Sequence, residues 1–263
     1  MSKEFRVILV GAGGVGIRLA EDLARMLEYQ APGSGMIIVD GDTFEDKNRA
    51  RQNFDVMGNK AEVLAARLTA QEFNNTLFLP LPQWVVETVE NTAGEDEAPD
   101  LETKVAASEL LGDGDIVFAV VDNFAARKLL FDVASTIDNI DVFTGGNDEA
   151  LFGSIYHYQR RNGEDITHHP VVFHDEYDNP PDRNPGEMSC QERAEIDGGT
   201  QTIAANAGVA AYLLARASQV MFDETFDPGP ESEIYFDLGK GKALPHNRSV
   251  SYNTVTEGVT LNG

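Results

Sequence analysis

The fold is decided near the start of the chain by the stretch RVILVGAGGVG, residues 6–16. Residues 6–10 are an apolar run typical of a buried strand, and most of the six residues that follow are glycine. From Val15 onward apolar residues recur at three- and four-residue spacing for about three turns, which predicts a helix. A strand, a glycine loop and a helix in this order predict a nucleotide site, because the helix N-terminus and the bare backbone suit a phosphate group.

The second strand of this unit, residues 36–39, ends at Asp40. An acidic residue at that place can accept hydrogen bonds from ribose hydroxyl groups. The glycine fingerprint alone does not identify the ligand, so up to this point a nicotinamide-dependent dehydrogenase explains the residues equally well. The expected nucleotide contacts of this first part are Gly11, Gly13, Gly14, Gly16, Asp40 and Asp42.

The next twenty residues favour a triphosphate over a dinucleotide. Asn48, Arg51 and Lys60 supply a neutral donor, a bidentate guanidinium and a point charge. Such a set can hold a triphosphate and neutralise the charge that builds up at phosphorus, and Gln52 adds one more donor. A dehydrogenase has no use for this cluster.

With these motifs the chain resembles the ThiF, MoeB and ubiquitin-activating superfamily, whose members adenylate the C-terminal carboxylate of ubiquitin-like proteins. Its glycine loop, Asp40 and Lys60 are similar to that superfamily's phosphate loop, ribose aspartate and phosphate lysine. Asn48, Arg51 and Gln52 are similar to its Asn, Arg and Gln run. The resemblance spans roughly residues 5–240 and is greatest with the short ThiF-related proteins of mobile-element cassettes.

A later Asp-Asn pair followed by an arginine is also similar to the superfamily: Asp122, Asn123 and Arg127. The resemblance implies that Asp122 is a magnesium ligand and that all three residues contact the nucleotide. From the residues alone, Asp122 is equally well explained as the N-cap of the following helix, and Arg127 as a surface residue.

The remaining pattern predicts one α/β domain, residues 1–247, and a polar C-terminal tail, residues 248–263. The parallel first half of a Rossmann-like mixed sheet would continue through the apolar runs of residues 115–121 and 141–144. Alternation over residues 151–160 and a hairpin over 234–244 predict an antiparallel second half, with helices on both faces. A final helix ending near residue 222 has a seam of period 3.5 with many small residues: Ile203, Ala207, Ala210, Leu214, Ala217 and Met221. The sheet of its own subunit and a second subunit are both candidate partners of this seam. The resemblance implies a homodimer.

Residues 161–199 form the predicted crossover loop and carry Cys190, the single cysteine of the chain. Free cysteines are usually buried, so one in polar surroundings requires a reason. In the resembling superfamily a cysteine on this loop forms a thioester or persulfide, which implies a catalytic role for Cys190, and a spectator thiol is the alternative. A single cysteine excludes the paired Cys-x-x-Cys zinc site of many relatives, so no structural zinc is expected.

Composition excludes several classes of partner. A formal charge of -24, from 44 acidic and 20 basic residues, would repel nucleic acid. A basic partner protein and a salty cytoplasm both explain this acidity. No apolar run approaches the roughly 18 residues of a membrane helix, and the N-terminus has no signal-peptide pattern, so we expect a cytoplasmic protein that does not bind membranes.

The sequence and the resemblance together predict an enzyme that uses ATP and Mg²⁺ to adenylate the C-terminal carboxylate of a ubiquitin-like or sulfur-carrier protein. Arg51, Lys60 and Asp122 are its expected catalytic residues, and Cys190 would then accept the acyl group as a thioester. Two alternatives stay open: a Rossmann-type NAD(P)-dependent oxidoreductase and a nucleotide-binding scaffold without catalysis.

Overall fold

The structure, a computed structural model, describes residues 3–49, 52–54, 56–89, 103–147, 151–188, 202–229 and 232–246. The strands are β1 (Arg6–Val10), β2 (Gly35–Val39), β3 (Leu77–Leu81), β4 (Trp84–Val86), β5 (Lys104–Ala106), β6 (Asp115–Ala119), β7 (Ile140–Asn147), β8 (Phe152–Arg161), β9 (Glu164–Asp165), β10 (Glu233–Asp237) and β11 (Lys242–His246). The helices are α1 (Gly14–Gln30), α2 (Lys60–Thr69), α3 (Ala107–Leu110), α4 (Phe124–Ala134), α5 (Asp175–Asp178) and α6 (Ile203–Phe222), with short 3₁₀ turns at Asp46–Asn48, Pro170–Val172 and Pro185–Glu187.

The main sheet has the strand order β11-β10-β8-β7-β6-β1-β2-β3, and β9 pairs with β8. Strands β3, β2, β1, β6 and β7 are parallel to one another. The pairs from β7 to β8, β8 to β10 and β10 to β11 are antiparallel. The predicted Rossmann-like mixed sheet, parallel first and antiparallel afterwards, is therefore confirmed.

Strand β1 shows why the first half of the sheet reads as a continuous apolar run. Val7 and Leu9 face the core formed with α1, α2 and α6, whereas Ile8 and Val10 face the core formed with α3 and α4. A strand covered on both faces has no solvent side, so these four positions all take apolar residues. The predicted helices on both faces are confirmed by these two cores.

Helix α6 packs against α1, β7 and β8 of its own chain. Its buried side includes Val209, Leu213 and Ala217, whereas Ile203, the first residue of the predicted seam, is 52% exposed. Gly145 in β7 lets the helix approach closely, since a Cβ atom there would lie 2.5 Å from Cγ1 of Val209. The sheet of the same subunit is thus a partner of this helix, and the homodimer stays a prediction.

The predicted crossover loop is described as far as Met188. Its described part contains β9, α5 and two of the 3₁₀ turns, and Cys190 lies outside the described residues. None of the helices in the described ranges has the length and apolar character required to span a membrane.

Candidate functional site

A cavity of about 390 Å³ lies at the carboxyl edge of the parallel strands, beside the ends of β1, β2, β6 and β7. Open α/β sheets bind ligands at this edge. The structure brings most of the predicted site residues together in its lining: Gly11, Gly13, Gly14, Asp40, Asp42, Asn48, Gln52, Lys60, Asp122, Asn123 and Arg127. Gly16 does not line the cavity, and Arg51 lies outside the described residues.

The glycine loop combines a tight turn with open space. Gly11 has a φ of +102°, and a Cβ atom on Gly16 would lie 1.9 Å from the carbonyl oxygen of Gly11. Neither position accepts a side chain, so Gly16 serves the turn rather than the lining. A Cβ atom on Gly13 would meet only Nε2 of Gln52, at 3.9 Å, which leaves the backbone of the loop open to a ligand.

The N-terminus of α1 faces this open space without a side-chain cap. The side chains of Asn59, Asn123 and Thr202 cap the first turns of α2, α4 and α6. Among the described helices of ten or more residues, α1 alone begins uncapped. Its first N–H groups and the positive end of its dipole suit an anion.

Asp40 connects the glycine loop to the end of β2. Its carboxylate accepts hydrogen bonds from the N–H groups of Ala12, at 2.7 Å, and Asp42, at 2.8 Å. Burial raises the pKa of Asp40 even though the charge of Lys60 and these two N–H groups act in the opposite direction. Each carboxylate oxygen has a second lone pair that can accept a hydrogen bond from a hydroxyl group.

Lys60 is a cation held inside the cavity. It is the first residue of α2, is 6% exposed and forms an ion pair with Asp42. Burial alone would lower the pKa of the ammonium group, but the negative charges of Asp40 and Asp42 outweigh it and raise that pKa. Lys60 is therefore charged at neutral pH.

The segment between β2 and α2 is anchored by aromatic packing. The rings of Phe44 and Phe54 are buried with their centroids 4.6 Å apart. Between them Asn48, also buried, accepts the N–H of Glu45 at 2.9 Å. This packing holds the predicted Asn and Gln of the run at the cavity wall.

Two polar atoms at the cavity lack partners within the described part of the chain. They are Oε1 of Gln52 and Nδ2 of Asn147, and both are buried. Burying a polar atom without a hydrogen bond costs roughly 1–3 kcal/mol, so native proteins rarely retain such atoms unless something else satisfies them. Their place in the lining points to a polar ligand.

The end of β6 distinguishes between the two explanations for Asp122. Asn123, not Asp122, caps α4, by accepting the N–H of Ala126 at 2.8 Å. Asp122 is exposed at the cavity, and its charge contributes to the raised pKa of Lys60. Arg127 is buried and donates to the carbonyl oxygens of Val121 and Gly145, at 2.7 and 3.1 Å. It joins the ends of β6 and β7, so the surface explanation for Arg127 is wrong.

Sequence reasoning missed one wall of the cavity. Trp84 and Val85 of β4 line it, as do Asn184 and Pro185 from the segment after α5. Nδ2 of Asn184 donates to the carbonyl oxygen of Val85 at 2.9 Å, which fastens this segment over the cavity. The only sequence signal was that Trp84 is the single tryptophan, because contacts between residues so distant in the chain leave no local pattern.

The donor groups at the cavity suit Mg²⁺, which needs few protein ligands, better than a metal ion held by several side chains. Within the described ranges, no group of three or more His, Cys, Asp and Glu side chains could hold a metal ion. Mg²⁺ keeps several waters and usually takes one or two carboxylates together with substrate phosphates. The exposed carboxylate of Asp122 is a suitable ligand for such an ion.

Comparison with known proteins gives matches in sequence and in structure. The pattern described as the ThiF family matches residues 2–223. Ubiquitin-like modifier-activating enzyme 5 of Branchiostoma floridae is 27% identical over 157 residues, which are 58% of this chain and 36% of that protein. The structure of E. coli MccB with ATP has a TM-score of 0.60 and 15% identity, over 95% of this chain and 66% of that one. That of PaaA has a TM-score of 0.59 and 16% identity, over 94% of this chain and 64% of that one. The chain spans little more than a third of the curated relative and just under two thirds of these solved chains.

Proposed function

The chain belongs to the ThiF family, and on that premise we propose that it is an ATP-dependent adenylating enzyme. Its substrate would be the C-terminal carboxylate of a ubiquitin-like or sulfur-carrier protein. The observation that carries the proposal is the buried ammonium group of Lys60 in the same cavity as the uncapped N-terminus of α1. The relative named ubiquitin-like modifier-activating enzyme 5 and the structural neighbour MccB, solved with ATP, support it.

We propose places in the cavity for the phosphates and the ribose of ATP. The phosphates would lie on the Gly13 and Gly14 backbone near Lys60, where Asn48 and Gln52 also line the wall. Asp40 would accept hydrogen bonds from the ribose hydroxyl groups through its unused lone pairs. We also place Arg51, Asn123 and Arg127 at this nucleotide, by their similarity to the family's motif.

The reaction follows from this placement. A carboxylate oxygen of the substrate would attack the α-phosphorus, and the bond from that phosphorus to the bridging oxygen would break. Pyrophosphate would leave with the electron pair, and an acyl-adenylate would form. Lys60 and Arg51 would offset the negative charge that builds up. Mg²⁺, held by Asp122, would supply further charge neutralisation on the phosphates.

A second step on Cys190 extends the proposal. Its thiolate would attack the carbonyl carbon of the acyl-adenylate, AMP would leave, and a thioester would remain. Because adenylation does not need the thiol, Cys190→Ala should still release pyrophosphate but lose any thiol-sensitive conjugate on a non-reducing gel. A full yield of conjugate from Cys190→Ala would make this cysteine a spectator.

The wider setting is also proposed. We infer a single adenylation domain over residues 1–247 with a tail over 248–263, acting in the cytoplasm as a homodimer without nucleic acid or membrane partners. The formal charge of -24 supports the exclusion of nucleic acid.

Two measurements test the proposed function. Calorimetry should show that ATP with Mg²⁺ binds and that NAD⁺ does not; tight NAD⁺ binding without ATP binding would indicate an oxidoreductase. Exchange of labelled pyrophosphate into ATP should then appear when small proteins with a free C-terminal carboxylate, purified from the native host, are added. ATP binding without exchange across that panel would leave a non-catalytic scaffold.

A further inference from the structure

The single tryptophan of the chain, Trp84, stands at the nucleotide cavity. It is half-buried, and its ring covers the backbone of Gly41. A Cβ atom added to Gly41 would lie 2.5 Å from each of Cδ1, Cδ2 and Cε2 of that ring. Since these three atoms span the five-membered ring and are equally distant, the face of the ring, not its edge, lies on Gly41.

The position of Trp84 is fixed on two sides. The backbone N–H of Trp84 donates to the carbonyl oxygen of Thr103 at 2.8 Å, which joins β4 to the residue before β5. Gly186 lies so close that a Cβ atom on it would be 3.0 Å from Cβ of Trp84. The segment carrying Gly186 is itself fastened to β4 by the hydrogen bond from Asn184 to Val85. These contacts fix the backbone and Cβ of Trp84, and the contact with Gly41 fixes the indole, before any ligand arrives.

The surroundings of Trp84 differ from those of Lys60. Gly41 is the residue between Asp40 and Asp42, so the indole adjoins the proposed ribose site. Apolar groups of the same cavity are contributed by Val39, Val85, Val121 and Pro185. The charged and amide groups expected to hold phosphates come from the glycine loop, the 48–52 run and α2. A nucleobase beside this ribose site would stack on the indole face opposite Gly41, with these apolar groups around it.

We propose that the base of the bound nucleotide stacks on Trp84. This stacking would make the protein bind nucleoside triphosphates more tightly than bare polyphosphate. The inference rests on the proposed function only in taking the ligand to be a nucleotide. Stacking of a base on an aromatic side chain changes affinity by about 5- to 150-fold when that side chain is truncated.

The test compares ATP with inorganic tripolyphosphate, both with Mg²⁺, as calorimetric ligands. Trp84→Ala should weaken ATP binding by about 5- to 150-fold and leave tripolyphosphate binding unchanged. Trp84→Phe should recover most of the loss, because it keeps an aromatic face. Lys60→Met is the matched control and should weaken both ligands. Equal losses for both ligands in Trp84→Ala, or no loss for ATP, would overturn the inference.

The unaltered protein provides a second readout that does not depend on how the variants fold. Because Trp84 is the single tryptophan, all tryptophan emission comes from the cavity. ATP should change that emission with the same midpoint as calorimetry, whereas tripolyphosphate should change it little. Emission that ATP leaves unchanged at saturation would overturn the inference.

Failure here differs from failure of the proposed function. If ATP binds through Trp84 but no substrate supports pyrophosphate exchange, the stacking role stands and adenylation falls. If exchange proceeds and Trp84→Ala has the ATP KM of the parent, adenylation stands and the stacking role falls.

Discussion

Lys60 is a buried cation surrounded by carboxylates, and this arrangement has two consequences. A buried charge is costly unless it is paired, and Asp42 supplies the pair. Asp40 and Asp122 add negative charge at the same ammonium group, which keeps it protonated. A triphosphate that approaches Lys60 must therefore displace or share the carboxylate of Asp42, so the ion pair orders this lysine before the nucleotide binds.

Replacing Lys60 tests this charge directly. We expect Lys60→Met to weaken ATP binding at least about tenfold, because a hydrogen bond to a charged group is worth roughly 1.5–3 kcal/mol. Calorimetry with ATP and Mg²⁺ measures it. Lys128→Met is the matched control, since Lys128 pairs with Asp132 along α4 and does not line the cavity. Equal ATP affinities for the two variants would remove Lys60 from the phosphate site.

Asp122 is expected to act in the reaction and not in the fold. Because Asn123 caps α4, Asp122→Asn should abolish pyrophosphate exchange and change the melting temperature little. Asn123→Ala should instead cost about 1 kcal/mol, or roughly 2–4 °C. Thermal melting beside the exchange assay separates the two effects. A large fall in melting temperature for Asp122→Asn would make that residue structural.

The start of α4 shows how one element positions another. The carboxylate of Asp182 accepts the N–H groups of Phe124 and Ala125, each at 2.9 Å. Nδ2 of Asn123 donates to the carbonyl oxygen of Arg183 at 2.7 Å. A negative charge is favourable at a helix N-terminus, so α4 fixes the segment that covers the cavity.

Removing the Asp182 carboxylate should loosen that segment. Asp182→Ala leaves two N–H groups without their partner, so we expect a loss of about 1–3 kcal/mol, several degrees in melting temperature. The nearby Asp178→Ala is the control, because Asp178 is exposed in α5. Limited proteolysis should cut residues 179–188 sooner in Asp182→Ala alone. Identical digestion of the two variants would contradict the anchoring role.

The parallel strands and the glycine loop could be predicted from sequence because their causes are local. A strand buried on both faces leaves an apolar run, as in β1, and the turn at Gly11 excludes side chains. The cavity residues Asn48, Gln52 and Lys60 could be predicted because they lie close together in the chain after β2, in an order similar to the family's motif. Their assignment to ATP stays a prediction.

What escaped prediction depends on contacts between distant segments. Asp182 meets α4 across more than fifty residues of chain, and Trp84 belongs to a strand of three residues. Neither leaves a periodic signal. The face of α6 was only partly predicted. Ala210, Ala217 and Met221 of the seam are buried, but Ile203 is exposed, and the buried side also includes Val209 and Leu213, which lie outside the seam. Packing against α1 and β7 decides that rotation, and small residues alone do not reveal it.

At the scale of the whole molecule, the two halves of the sheet meet between β7 and β8, where a buried polar network lies. Nε2 of His157 donates to Asp141 at 2.9 Å, and Arg161 and Gln159 donate to the same carboxylate at 2.6 and 2.8 Å. The His157 ring stacks on Phe143 at 4.3 Å. Burial opposes ionisation of Asp141, but His157, Arg161 and Gln159 outweigh it and lower its pKa.

This network should make the fold sensitive to mild acid. Burial lowers the pKa of His157 below its ordinary 6.5, although Asp141 acts in the opposite direction. The unfolded chain therefore binds the proton first, and the free energy of unfolding should fall as the pH drops below 6.5, by at most about 1.4 kcal/mol per pH unit. Asp141, with its lowered pKa, loses its contribution to stability only below its ordinary value of 3.8, outside this window.

Replacing His157 tests this coupling. His157→Gln keeps a donor for Asp141 but cannot titrate, so the stability of this variant should fall less between pH 6.5 and 5. Urea unfolding of parent and variant at pH 7, 6 and 5 measures this, with His246→Gln on the exposed strand β11 as control. His169, whose pKa burial also lowers, contributes equally to parent and variant and cancels in the comparison. Parallel pH profiles for parent and His157→Gln would show that His157 does not couple the fold to protons.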